Sequence, residues 1–128
     1  MIGKVISSLL KASDPLLALV DTGSIFPYVC NESTDLPFIV YTVDSVTPIY
    51  DKDDWSHDEC IFSVETYCKN YGAMQDIALQ VRAALEHEAG ILYSVTIRNL
   101  RMTAQDEDAF ELAFANKLTF EVEVMSYS

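Results

Sequence analysis

With 128 residues the chain is long enough for one domain, 1–128, with a real core and no need of disulfides or metals. Eight basic against twenty acidic residues give 8 − 20 = −12, and the pI near 4.2 opposes extended contact with a phosphate backbone or an anionic membrane. Half of the residues are hydrophobic, which excludes a disordered chain, and no apolar run approaches the roughly 20 residues of a membrane span. The three cysteines, Cys30, Cys60 and Cys68, form no CxxC, and Met1 to Leu10 has no secretory pattern. Reduced, mostly buried thiols and synthesis in the cytosol are expected.

Ile2, Val5, Ile6, Leu9 and Leu10 make one apolar stripe, so the chain opens on an amphipathic helix. Asp14 suits an N-cap and Pro15 a first helical position, giving a short turn through Val20 that Asp21-Thr22-Gly23 ends. Ile25-Phe26-Pro27 reads as an edge strand, where a proline is tolerated. Asn31 to Asp35 is a polar connection. Phe38 to Val43 has the composition of a central strand, and Asp44 to Asp58 follows as a long loop.

From Glu59 to Cys68 the alternation is strict, with Cys60, Phe62, Val64 and Thr66 on one side and Ile61, Ser63, Glu65 and Tyr67 on the other. From Asn70 the period changes, and Met74, Ile77, Ala78, Val81 and Leu85 fall on one helix face that Gly90 terminates as C-cap. Ile91 to Arg98 alternates as a strand, Gln105 to Asp108 reads as an acidic turn, and Leu118 to Val124 is the cleanest half-buried strand.

These elements predict an α+β fold: a mostly antiparallel sheet of four to five strands with two main helices packed on one face. Phe62, Val64, Ile77, Val81, Phe120 and Val122 should form its core. If Val40 and Phe62 look toward the helices, then Ile39, Tyr41, Val43, Ile61 and Tyr67 look away. Two helices cannot cover both faces, so Tyr41, Ile61 and Tyr67 are candidates for a subunit interface.

Chemistry is sparse. His57 with Asp53, Asp54, Asp58 and Glu59 offers oxygen ligands for a hard cation such as Ca²⁺, but the spacing lacks the glycine and distal glutamate of an EF-hand. A solvated acidic loop is the plainer reading, and His87 between Glu86 and Glu88 reads as surface. Cys60 as a nucleophile would need a base in a cleft, whereas a cysteine on an alternating strand is a small core residue. There is no glycine-rich phosphate loop, no GxSxG, no HExxH and no Cys/His zinc spacing. No catalytic, cofactor-binding or metal residue is assigned, and no enzyme is expected.

In its order of features the chain resembles the tail completion, or tail-terminator, proteins of long-tailed bacteriophages and prophages. The resemblance rests on the leading helix with Asp14-Pro15-Leu16-Leu17-Ala18-Leu19-Val20, the segment Gly23 to Pro27, and Leu36 to Tyr41. It continues through the strand Glu59 to Tyr67, the helix with Ala78, Val81, Arg82, Ala84 and Leu85, and the closing strand Leu118 to Val124. The very acidic segment from Asp51 to Glu59 departs from it. The resemblance implies a non-enzymatic virion part without cofactors, assembling in the host cytoplasm and ending in the virion tail. Its partners would be itself, as a ring usually of six, the tail tube protein and the head-connector protein, with no sequence-specific nucleic acid and no membrane. Asp51, Asp53, Asp54, Trp55, Asp58 and Glu59 are then candidates for a loop facing the lumen or a partner. The alternative from another class is a small acidic ligand- or Ca-binding module using that same loop.

Overall fold

The leading apolar stripe does form a helix, α1 (Ile2–Lys11), which buries Ile2, Val5, Ile6 and Leu10. The computed structural model describes residues 2–28 and 35–127. Cys30, and the connection expected from Asn31 up to Asp35, lie outside the described residues. After α1 come α2 (Asp14–Leu17), one 3-10 turn at Thr22–Ser24, and the strands β1 (Ile25–Pro27), β2 (Phe38–Asp51) and β3 (Asp54–Cys68). Helix α3 (Tyr71–Leu85) and strands β4 (Gly90–Leu92), β5 (Val95–Ala109) and β6 (Phe114–Tyr127) complete the chain.

The strands form one six-stranded mixed sheet, ordered β1-β2-β3-β6-β5-β4. This corrects the expected four- to five-stranded sheet. Strand β1 runs parallel to β2, while every other pair is antiparallel. The sheet curls into a half-barrel. Its curl has a local cause, since the registers of β2–β3 and β5–β6 slip at five places, and each slip bends and twists the strand it interrupts.

The expected loop from Asp44 to Asp58 is hairpin. Strands β2 and β3 stay paired out to Asp51↔Asp54, closed by Lys52 and Asp53 at φ 50° and 70°. Both central residues are left-handed, the geometry that matches the twist of paired strands, but neither is the glycine that usually announces it. Tyr93 and Ser94, at φ 52° and 68°, close β4 onto β5 in the same way. The acidic run from Gln105 to Asp108 is likewise strand rather than turn, paired with residues from Leu118 to Ala115 of β6.

Helix caps also shift. Ser13, not Asp14, caps α2, its Oγ accepting from the Leu16 N–H at 3.3 Å. Asn70 caps α3, its Oδ1 accepting from the Ala73 N–H at 3.0 Å. The left-handed residue after α3 is His87 at φ 68°, whose N–H donates to the Leu100 carbonyl, so Gly90 opens β4 instead of capping the helix.

All six expected core residues are buried, with Phe62 and Phe120 stacked at 5.2 Å. The register corrects the facing of β2. Ile39, Tyr41 and Val43 lie opposite Thr66, Val64 and Phe62, so they face the helices, and Val40 opposite Glu65 looks the other way. The core therefore fills the space between one face of the sheet and α1, α2 and α3.

Candidate assembly surface

The face of the sheet turned away from the helices is polar. Alternation along β3 places His57, Glu59, Ile61, Ser63, Glu65 and Tyr67 on it. Across the strand pairs stand Glu123, Glu121, Thr119 and Lys117 of β6, then Arg98 and Arg101 of β5. The ladder is tied by ions: Arg98 Nε donates to Glu123 Oε2, which also accepts from Asn99 Nδ2 at 3.0 Å, and Arg101 Nη2 donates to Glu121 Oε2 at 3.0 Å. The Arg98 guanidinium holds the Glu123 carboxyl below the usual carboxylate range. A concavity of about 600 Å³ opens on this face between Thr47, Glu59, Asn99, Arg101 and Glu123.

Among the three expected interface residues, the structure separates Tyr41 from the other two. Tyr41 is buried in the core. Ile61 and Tyr67 are half-buried on the polar face. The Tyr67 hydroxyl donates to Glu65 Oε2 at 2.6 Å while its ring stacks on Phe38 at 4.9 Å and on Phe110 at 6.4 Å.

The acidic segment divides too. Asp51, Asp53 and Asp54 sit exposed at the hairpin tip, and Glu59 is exposed on the polar face. Asp58 is buried and points to the helix side, opposite Val124. There Trp55 Nε1 donates to its Oδ1 at 2.9 Å and the Tyr127 hydroxyl to its Oδ2 at 2.7 Å. Both carboxylate oxygens are taken. Burial and the bond to Asp58 raise the Tyr127 hydroxyl above its ordinary pKa.

Exposed apolar side chains include one group at each end of the long hairpins, besides single ones such as Leu79 on α3 and Ile91 on β4. Val46, Tyr50 and Trp55 are exposed near the β2–β3 tip, and Phe110 and Leu112 at the β5–β6 tip. Trp55 stands at the start of β3 and the Phe110–Leu112 turn beside its end, where Cys68 pairs with Phe114, so the two patches lie at opposite ends of the sheet. Sequence reasoning missed Phe110 and Leu112, whose signal was two large apolar residues just after the acidic run Asp106-Glu107-Asp108. It also missed the Arg98–Glu123 and Arg101–Glu121 pairs, because a register slip between Arg98 and Arg101 breaks the alternation that would have put both on one face.

The Cys60 thiol is unsuited to nucleophilic chemistry. Cys60 is buried and pushed up to about 11, first by burial and then by the Asp58 charge. A thiol attacks as thiolate, so Cys60 should resist iodoacetamide at pH 8 in the folded protein and react readily in urea. Peptide mapping of the alkylated protein checks this, and equal labelling of Cys60 in both states would contradict it.

Against known proteins, a family model described as tail completion protein gp17 matches residues 4–124. The chain belongs to this family. It is thus a phage structural tail protein. The tail completion protein matches a chain from a solved structure described as the virion of a native gene transfer agent particle, with TM-score 0.81 at 17% identity, covering 94% of this chain and 92% of that one. A second solved structure superposes with TM-score 0.66 at 10% identity over 98% and 97% of the two chains. Both likenesses are of fold. No curated protein matches the tail completion protein by sequence.

Proposed function

We propose that this tail completion protein closes as a ring, of six copies, on the end of the tail tube and joins it to the head connector, without catalysing a reaction. The carrying observation is the family match over residues 4–124. The surface supports it. A ring repeats one contact between two different patches on each copy, and the apolar ends at Tyr50–Trp55 and Phe110–Leu112 are two such patches on opposite ends of the sheet. Tyr67 borders the second of these through its stack on Phe110, while Ile61 lies further along the same polar face. The net charge of −12 suits a lumen that DNA must traverse without adhering, and Asp51, Asp53 and Asp54 at the hairpin tip are the residues to line it or to meet a partner. Assembly takes place in the host cytoplasm, and the ring ends in the virion tail.

The calcium-module reading loses ground on one observation: Asp58 spends both oxygens on Trp55 and Tyr127. Light scattering across protein concentration and salt tests the ring. Crowding carboxylates around an axis is opposed until salt shortens the Debye length to roughly 10 Å near 0.1 M, so mass should grow with salt toward six copies. A particle that stays monomeric in every condition, tail tubes included, would overturn the reading.

A further inference from the structure

We propose that His57, Glu59 and Glu123 form a binding site for a divalent transition-metal ion of the Zn²⁺ type, on the polar face where β3 meets β6. The three side chains each offer one ligand atom, all within 4.8 Å of one another. His57 Nε2 lies 3.7 Å from Glu59 Oε1 and 3.8 Å from Glu123 Oε1. Tetrahedral zinc with bonds of roughly 2.0–2.1 Å holds its ligand atoms roughly 3.3 Å apart, so His57 Nε2 stands about half an ångström beyond that spacing from each carboxylate oxygen, and the two carboxylates, whose oxygens lie within 4.8 Å of each other, draw together as they bind.

Three further observations point to a cation there. First, His57 Nε2 is buried and has no hydrogen-bond partner. A buried nitrogen with nothing to bond is costly, and a metal would satisfy it. Second, the register sets Glu59 directly opposite Glu123, a like-charge cross-strand pair that destabilises a sheet unless a positive group stands between. Arg98 and Asn99 engage only the far oxygen of Glu123, leaving Oε1 turned toward His57, and Glu59 Oε1 has His57 as its near neighbour.

Third, the outer contacts already orient the ligands. Ser56 Oγ lies 3.0 Å from His57 Nδ1. With Nδ1–H donating to that hydroxyl, the lone pair sits on Nε2, the tautomer a metal needs. Glu123 is held in place from behind by Arg98 and Asn99. Imidazole with two carboxylates suits Zn²⁺ and its neighbours in the first transition row and leaves Ca²⁺, which wants six to eight oxygens, poorly served. Three protein ligands leave the fourth position to water from the adjoining concavity, which Glu59 and Glu123 line.

The test is calorimetric titration of the folded protein with ZnCl₂ and, separately, CaCl₂, alongside thermal melts in each. One Zn²⁺ per chain should bind and raise the melting midpoint, while Ca²⁺ at equal concentration leaves it unmoved. His57→Gln and Glu59→Gln should each weaken Zn²⁺ binding at least tenfold. Glu59 is exposed, so its variant keeps the fold. Glu121→Gln, on the same face but paired with Arg101, should leave binding unchanged. Absence of Zn²⁺ binding would overturn the proposal. So would binding that His57→Gln and Glu59→Gln leave intact, since the thiols or other carboxylates would then be the ligands. This outcome is independent of the ring stoichiometry, so either reading can fail without the other.

Discussion

Replacing Val81 by Asp should leave the protein unfolded, or melting far below the parent. Val81 lies on the inner face of α3 with no exposed surface, one helical turn from Ile77, Ala78 and Leu85, all of them buried. A carboxylate there would meet only apolar side chains. It must either ionise without a partner or take up a proton at neutral pH, and either course costs several kcal/mol. Loss of the valine contacts adds to that. The sum, about 5 kcal/mol, approaches the whole stability of a domain of this size. Circular dichroism during heating checks it. A variant that melted with the parent would show that α3 presents a different face to the sheet.

The second large effect is expected at Asp58. Asp58→Ala removes a buried acceptor that serves two part-buried donors, Trp55 Nε1 and the Tyr127 hydroxyl. Hydrogen bonds to a charged group contribute roughly 1.5–3 kcal/mol each, and a donor left unpaired keeps its desolvation cost, so a loss of about 3 kcal/mol is expected. Tyr127→Phe removes one bond together with its donor and should cost less than half as much. Urea unfolding followed by fluorescence gives the comparison directly, because Trp55 is the chain's single tryptophan. Equal midpoints for Asp58→Ala and the parent would mean that the contact holds nothing together. The residue whose type suggested a surface ligand thus serves as a clamp between the β2–β3 hairpin and the last strand.

What could be read from the sequence follows from which residues are half-buried. Strand β3 from Cys60 to Cys68, strand β6 from Leu118 to Val124 and helix α3 each have one face in the core and one outside, so their periods show. The outer halves of β2 and β5 have water on both sides, from Asp44 to Asp51 and from Thr103 to Ala109, and with nothing to bury they carry no alternation. They read as loops for that reason alone. The apolar run Phe38 to Val43 failed differently: Ile39, Val40 and Tyr41 are all buried, so composition could not tell which face met the helices. Lys52-Asp53 and Tyr93-Ser94 hid their turns because side chains other than glycine occupy the left-handed positions. Glu59 and Asp58 were found by residue type, and their opposite orientations, Glu59 exposed and Asp58 buried, emerged only once both were seen to lie in a paired strand. Glu123 and Arg98 lie far apart in sequence and meet only because β5 and β6 pair.

The short outer strands have a consequence for how the protein survives at high concentration. Strand β1 covers β2 only from Ile39 to Tyr41, and β4 covers β5 only from Val95 to Ile97. Beyond them, among the described residues, the rims of β2 and β5 run on with no neighbouring strand. A rim of this length is a template on which any extended chain could add itself, the first step toward fibrous aggregates. The composition blocks that step. Pro48 brings no N–H to the β2 rim, between Asp44 and Asp51, and β5 ends in Asp106-Glu107-Asp108. Two such rims brought together at random would set carboxylate against carboxylate, so part of the acidity of this chain acts as insulation along the open borders of its sheet.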